Sequence, residues 1–89
     1  MGNTTKPAAW YSRCRLAWLE RQAKAASRIN RADLMDAFGI SAAQASSDFQ
    51  AYHQLNPGAL ACDLPSKRYW WTGESEFAIV PAPWADFPE

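Results

Sequence analysis

The sequence predicts a mainly α-helical fold in which three helices are followed by a small β-hairpin. The central observation is the stretch NRADLMDAFGISAAQASSDFQAY at residues 30–52, which has the pattern of two short helices joined by a tight turn. A long run without Gly or Pro precedes this stretch, and two short segments with strand character follow it. Three helices and a hairpin in this order are typical of a winged helix-turn-helix.

The first helix is predicted at residues 8–26, where good helix formers such as Ala, Leu, Arg, Glu and Lys dominate. One stripe of residues recurs at helical spacing and is expected to face the core: Leu16, Leu19, Ala23 and Ala26. A neighbouring row consists of Trp10, Cys14 and Trp18. Core packing is the favoured interpretation of this row, and a partner surface is the alternative.

Capping signals delimit the second and third helices, predicted at residues 31–38 and 42–55. Asn30, with Asp33 three residues later, is a suitable N-terminal cap for the second helix. Gly39 supplies the left-handed conformation that ends this helix, and Ser41 can cap the next one. Helical spacing predicts these core residues: Leu34, Met35, Phe38, Ala45, Phe49 and Tyr52.

The remaining segments are predicted from turn and strand signals. Asn56-Pro57-Gly58 ends the third helix, and residues 59–63 and 67–71 flank a turn-like Leu64-Pro65-Ser66, which predicts the hairpin. We therefore expect a winged helix-turn-helix domain at residues 8–73. A flexible N-terminal arm at residues 1–7 and an acidic, aromatic, proline-rich tail at residues 74–89 are expected on either side of it.

Two expectations concern the apolar residues of the tail. Phe77 to Val80 is a candidate third strand, because this run is apolar and lies between breakers. Trp84 and Phe87 are expected to pack on the domain, because the tail is too apolar for a purely solvated segment.

Charge is distributed unevenly, although the formal net charge is zero. Residues 1–73 hold all nine Lys and Arg and five acids, a net charge of +4, whereas residues 74–89 hold four acids and no base. A basic body with an acidic tail suits phosphate binding better than the total charge suggests.

Composition argues against several other classes. The sequence contains no apolar run near the roughly 18 residues that span a bilayer and no N-terminal signal segment, so we expect a cytoplasmic protein without a membrane partner. Cys14 and Cys62 lack CxxC partners and His53 is alone, so we expect neither a metal nor another cofactor. Asp48 and the neighbouring serines share one helix with His53 and form no pocket, so we do not expect an enzyme.

Several short motifs match one family of bacterial regulators. They are Arg28-Ile29-Asn30-Arg31 with Asp33-Leu34, Phe38-Gly39-Ile40-Ser41, Gln44-Ala45-Ser46 with Asp48 and Tyr52, Asn56-Pro57-Gly58, and Lys67-Arg68-Tyr69. Through these motifs the chain resembles the N-terminal winged helix-turn-helix of the WYL-domain repressors of anti-phage defence loci, the BREX and CBASS regulators, distantly related to DeoR-type proteins. The resemblance covers about two thirds of the chain. It implies sequence-specific operator binding as a dimer and repression of nearby genes.

The chain departs from this family in two ways. Family members continue into a WYL domain, and this sequence stops at Glu89, where that domain would be beginning, so the resemblance implies neither ligand sensing nor the family's dimer contacts. DeoR-type recognition helices also tend to carry two Arg where this chain has Ser46 and Ser47. We therefore expect a weaker grip on phosphate from this helix.

The third helix is expected to enter the major groove of DNA. The amide of Gln44 can bond bidentately to adenine, which discriminates between bases by roughly 1–3 kcal/mol, and small neighbours such as Ala42 let the backbone approach the bases. Cations just before the second helix, in its first turn and on the hairpin, which is the wing of this fold, suit phosphate, whereas Asp48 is expected to bond to a nearby Arg. The candidate DNA-binding residues are Arg28, Arg31, Ser41, Ala43, Gln44, Ser46, Ser47, Gln50, Lys67 and Arg68.

Three functional interpretations stay open. The first is a small bacterial or phage repressor that binds double-stranded DNA as a homodimer, through the Trp10 face of the first helix or through the tail. The second is a protein-interaction module that pairs with a related full-length regulator; the Ser46-Ser47 pair and the zero net charge favour it. In the third, the acidic tail covers the basic face until DNA or a partner displaces it.

Overall fold

A computed structural model of the chain describes residues 8–26, 28–63, 65, 68–73 and 76–86. In chain order the elements are helices α1 (Ala8–Ala26), α2 (Arg31–Phe38) and α3 (Ala42–Leu55), strands β1 (Leu60–Asp63) and β2 (Arg68–Trp71), and a short 3-10 helix (Pro83–Asp86). The predicted winged helix-turn-helix, mainly helical with a small hairpin, is confirmed. The predicted arm at residues 1–7, Lys67 and Phe87 lie outside the described residues. None of the described helices is long and apolar enough to cross a membrane.

Local caps build the helix-turn-helix as the sequence signals indicate. The Asn30 side chain accepts a hydrogen bond from the Asp33 N–H at 3.0 Å, and the Asp33 carboxylate accepts one from the Asn30 N–H at 2.9 Å. Gly39 ends α2 with φ 64° and ψ 37°. The Ser41 hydroxyl then accepts from the Gln44 N–H at 3.1 Å and begins α3. The turn between the two helices is therefore fixed by short-range interactions.

Backbone hydrogen bonds to Ile29 extend the hairpin toward the helices. Strands β1 and β2 pair antiparallel, with Leu60 opposite Trp71. Ile29, in the connection between α1 and α2, donates its N–H to the Tyr69 carbonyl at 2.7 Å and accepts from the Tyr69 N–H at 2.9 Å. The prediction of a third strand at Phe77–Val80 is wrong. This segment has no strand structure and bends at residues 78 and 79, and Ile29 takes the place beside β2.

The core lies between the three helices and the hairpin. Its fully buried residues include Leu19, Ala23, Leu34, Ala45, Phe49 and Tyr52. Tyr69 of the wing stacks on Phe49, with ring centroids 4.1 Å apart. Two expected core residues depart from the pattern. Ala26 is exposed because α1 ends there, and Phe38 remains 36% exposed while its ring meets the edge of Trp18.

The row of Trp10, Cys14 and Trp18 on α1 belongs mostly to the interior. Cys14 is buried, and Trp18 packs against the core while remaining partly accessible. Trp10 is half-buried, and its ring meets that of Tyr11 edge to face. Core packing therefore accounts for Cys14 and Trp18, as the favoured interpretation expected.

A buried carboxylate connects α1, α3 and the segment after the hairpin. Glu20 is fully buried and accepts hydrogen bonds from the Tyr52 hydroxyl at 2.6 Å, the Ala78 N–H at 2.8 Å and the Ile79 N–H at 3.1 Å. Arg21 donates from Nη1 to the same carboxylate at 3.0 Å and from Nη2 to the Ile79 carbonyl at 2.9 Å. These bonds compensate the cost of burying a charge.

The described part of the predicted tail packs beside α1. The guanidinium of Arg21 lies 4.7 Å from the ring centroid of Phe77 and 5.5 Å from that of Trp84. Asn56, at the end of α3, donates to the Glu76 carbonyl at 2.9 Å. Trp84 thus packs on the domain as expected, although it stays 40% exposed. These contacts place Phe77 and Trp84 beside α1, whereas the acidic residues Glu74 and Glu89 lie outside the described residues.

Replacing Glu20 by Ala should destabilise the fold by about 3 kcal/mol, because it leaves the buried donors of Tyr52 and Ile79 and the partly buried N–H of Ala78 without their acceptor. Urea denaturation followed by circular dichroism measures this change. Glu76→Ala is the matched control, since Glu76 is exposed and its backbone carbonyl stays in place. Equal stability of the two variants would contradict the role given to the buried carboxylate.

Stability should fall at alkaline pH through Tyr52. Burial, followed by the hydrogen bond to Glu20, raises the pKa of Tyr52 above its ordinary value. The stabilisation is complete below the unfolded-state pKa of about 10 and is lost as pH rises toward the folded-state pKa, because the unfolded chain loses its proton first. Denaturation series from about pH 9 to pH 11 should show a shallower decline for Tyr52→Phe than for the parent protein. Parallel declines would show that Tyr52 does not carry this dependence.

Candidate nucleic-acid interface

The outward side of α3 presents small and amide side chains. Exposed positions at helical spacing form a row that we name the α3 outer stripe, and its residues are Ala43, Ser47, Gln50 and Gln54. The acidic residue of the same helix, Asp48, faces inward and is only 4% exposed. The stripe itself therefore carries no charge, and its amides and hydroxyl can both donate and accept hydrogen bonds.

Arg31 borders the stripe on the side of α2. Its Nη1 donates to the Ser46 hydroxyl at 3.0 Å, which draws the guanidinium from the start of α2 across to α3. The charge of Arg31 also affects the pKa of Tyr69 on the wing. Burial and the neighbouring Cys62 raise the pKa of Tyr69, and the positive charge of Arg31 opposes this rise. A cation thus lies where α2, α3 and the wing meet.

Gln44, Asp48 and Arg15 border the stripe on the side of α1. Gln44 donates from Nε2 to Asp48 Oδ1 at 3.0 Å. Arg15 donates from Nε to Asp48 Oδ2 at 2.6 Å and from Nη2 to Oδ1 at 3.3 Å. The expected bond between Asp48 and an Arg is confirmed. Gln44 is half-buried and held by this contact.

The wing contributes a second cationic region. Exposed Arg28 and Arg68 line one shallow groove of about 350 Å³ together with Ile29, Asn30 and Asp33. The two arginines are far apart in the sequence, and the bridge between Ile29 and Tyr69 brings their segments together. The cap residue Asp33 adds an acid to this groove, so the region is basic but not uniformly so.

The structure thus divides the candidate residues into groups. Arg31 contacts Ser46, Arg28 shares a groove with Arg68, and the exposed candidates on α3 itself are Ala43, Ser47 and Gln50. The side chain of Ser41 is committed to the helix cap. Among the described residues, no cluster of three or more His, Cys, Asp or Glu could hold a metal ion.

Sequence reasoning missed two residues of this surface. Gln54 continues the helical spacing of Gln50, so periodicity could have identified it. Arg15 belongs to α1 and reaches Asp48 only through the packing of two helices, so no local signal in the sequence indicates its role.

Comparison with known proteins identifies the family of this fold. The family described as BrxR transcriptional regulator winged helix-turn-helix domain matches residues 12–80. The DNA-binding transcriptional repressor CapW of Escherichia coli (strain KTE188) is 39% identical over 62 residues, which cover 70% of this chain and 21% of that protein. CapW of Stenotrophomonas maltophilia is 40% identical over 65 residues, which cover 73% of this chain and 22% of that protein. The matched region is thus about a fifth of the length of these relatives. The chain belongs to the BrxR winged helix-turn-helix family.

Proposed function

We propose that this domain binds double-stranded DNA in a sequence-specific manner, with α3 in the major groove, as part of a bacterial or phage transcriptional repressor. The observation that carries the proposal is the arrangement around the α3 outer stripe. Uncharged hydrogen-bonding groups occupy the centre, where base edges would lie. Arg31 reaches Ser46 at the border of the stripe, and Arg28 and Arg68 share a groove beside the start of α2, where phosphates would lie. Similarity to CapW repressors supports a binding role over a catalytic one.

The chemistry of the stripe suits base edges. The major groove is about 12 Å wide and admits a helix, and each base pair presents there a distinct set of donors and acceptors. The amides of Gln50 and Gln54 can match such sets, and the small side chains of Ala43 and Ser47 permit close approach. Arg28 and Arg68 would contact phosphate, which fixes position and register without reading sequence.

We propose further that the protein acts as a homodimer. One recognition helix reads few base pairs, so two copies on half-sites about 34–36 Å apart would supply the specificity that a regulator needs. Exposed aromatic side chains on α1 and after the hairpin favour this assembly, since Tyr11 is 45% and Trp84 40% exposed. A related full-length regulator is an alternative partner.

One observation favours a second candidate function. The α3 outer stripe has no cation of its own, and Trp70 on the wing is 41% exposed, as on a surface that docks protein. The domain would then modulate a related regulator without binding DNA. DNA binding across a salt series separates the two candidates, because a protein-docking surface gives no steep dependence on salt.

Arg68→Ala should weaken DNA binding by a similar factor for all sequences and should make the log–log salt slope less negative by roughly 0.9, because one phosphate contact is lost. Fluorescence anisotropy with a duplex selected from a random pool measures both quantities. Lys24→Ala is the matched control, since it removes a cation whose Nζ lies 5.3 Å from the Phe77 ring, beside the segment packed on α1. Equal slopes for the two variants would remove Arg68 from the interface, and no binding at low salt would overturn the proposed function.

Sedimentation velocity at tens of micromolar protein should show a dimer in the presence of a duplex carrying two half-sites. Trp84→Ala should shift the protein toward monomer if this exposed ring contributes to the contact. A one-to-one complex at saturation would contradict the proposed dimer and would leave DNA binding itself intact.

A further inference from the structure

We infer that Asp48 is a positioning residue for base recognition: it holds the amide of Gln44 in the one orientation that selects adenine over guanine. The inference rests on the proposed function and deepens it. Its basis is the contact chain from Arg15 on α1 through the buried carboxylate of Asp48 to Gln44 in the first turn of α3. Asp48 itself would touch no base, since it is only 4% exposed.

The chemistry of the contact determines which end of the amide faces inward. Both carboxylate oxygens of Asp48 accept from the guanidinium of Arg15, at 2.6 and 3.3 Å. A carboxylate in this setting only accepts hydrogen bonds, so the Gln44 group that faces it must be the nitrogen, and Nε2 lies 3.0 Å from Oδ1. The carbonyl oxygen of Gln44 is consequently the end turned away from Asp48.

This orientation determines which base Gln44 can pair with. Nε2 has two N–H groups, and one bond to Asp48 leaves one N–H together with the carbonyl oxygen. Adenine offers an acceptor at N7 and a donor at N6, which this pair of groups complements. Guanine offers two acceptors, N7 and O6, and would meet the carbonyl oxygen of Gln44 with repulsion.

A glutamine without such a partner would not discriminate in this way. The oxygen and nitrogen ends of an amide are nearly the same in size, so a free side chain can turn over and present two donors to guanine. Asp48 removes this freedom, and Arg15 in turn fixes Asp48. Order imposed before binding also lowers the entropy lost in forming the contact.

Asp48→Asn tests the inference because it should reverse the orientation of the Gln44 amide. Arg15 has only donors, so the substituted side chain must turn its oxygen toward Arg15 and its NH₂ group toward Gln44. Gln44 would then accept with its carbonyl oxygen and present two N–H groups outward. At the base pair read by Gln44, the preferred base should change from adenine to guanine. The ratio of affinities for the two bases should be roughly five- to one-hundredfold, in opposite directions for the two proteins.

The experiment is selection from a random duplex pool, with sequencing, for the parent chain and three variants. Gln44→Ala identifies the base pair, because only there should its preference be lost. Asp48→Asn should switch that pair from adenine to guanine. Asp36→Asn is the matched control: it removes the same charge from an exposed residue of α2 and should leave the selected sequence unchanged.

The outcomes separate the inference from the function on which it rests. If the parent chain selects a sequence, Gln44→Ala relaxes one pair and Asp48→Asn keeps adenine there, the inference is overturned and the proposed function stands. If Gln44→Ala relaxes no pair, the inference is likewise overturned. Failure of the parent chain to bind DNA at low salt overturns both.

A second measurement covers the case in which Asp48→Asn does not fold. In the folded parent chain, NMR should show the side-chain NH₂ protons of Gln44 with slowed solvent exchange and separated shifts, as expected for a fixed hydrogen bond to a buried carboxylate. The exposed amide of Gln50 is the internal reference. Identical exchange for the two amides would overturn the inference without any variant.

Discussion

The arrangement of this domain depends on keeping the carboxylate of Glu20 fully bonded in the interior. A buried charge is tolerated only when every hydrogen-bonding site is used, and here the donors come from α3, from α1 and from the backbone after the hairpin. The same carboxylate therefore determines where α3 lies on α1 and where the chain runs after β2. Residues 78 and 79 bind Glu20 through their main-chain N–H groups, and the Ile79 side chain is itself fully buried.

A second buried carboxylate, that of Asp48, holds side chains at the surface in place, as Glu20 does in the interior. Both carboxylates join α1 to α3: Asp48 binds Arg15 from the middle of α3, and Glu20 binds Tyr52 nearer the end of that helix. Since α3 is anchored at both places, its outward side chains start from a fixed backbone. Such pre-ordering is what a helix needs if it is to discriminate partners by hydrogen-bond geometry rather than by bulk charge.

Local chemistry made most of the helical part predictable. The caps at Asn30, Gly39 and Ser41 act over three or four residues, and the core positions Ala45, Phe49 and Tyr52 follow the helical period. The third strand predicted at Phe77–Val80 is absent there, and the bridge to β2 at Ile29 is one residue long, which leaves no periodic pattern to detect. The surface is only partly predictable, because some of its contacts are not local in the sequence. Exposure on α3 follows from periodicity, whereas the Arg15–Asp48 and Arg31–Ser46 contacts exist only after helices have packed.

The absence of charge from the α3 outer stripe has a consequence for how the proposed regulator would respond to its environment. Ionic strength acts on contacts with phosphate, and the cations proposed to make such contacts, Arg28, Arg31 and Arg68, lie outside the stripe. The uncharged groups at the centre would exchange hydrogen bonds with bases, and screening acts little on such contacts. Occupancy of a site would then vary with salt while the ranking of one site over another stayed nearly constant, so that a cell under osmotic stress would change how much of the operator is filled but not which operator is chosen.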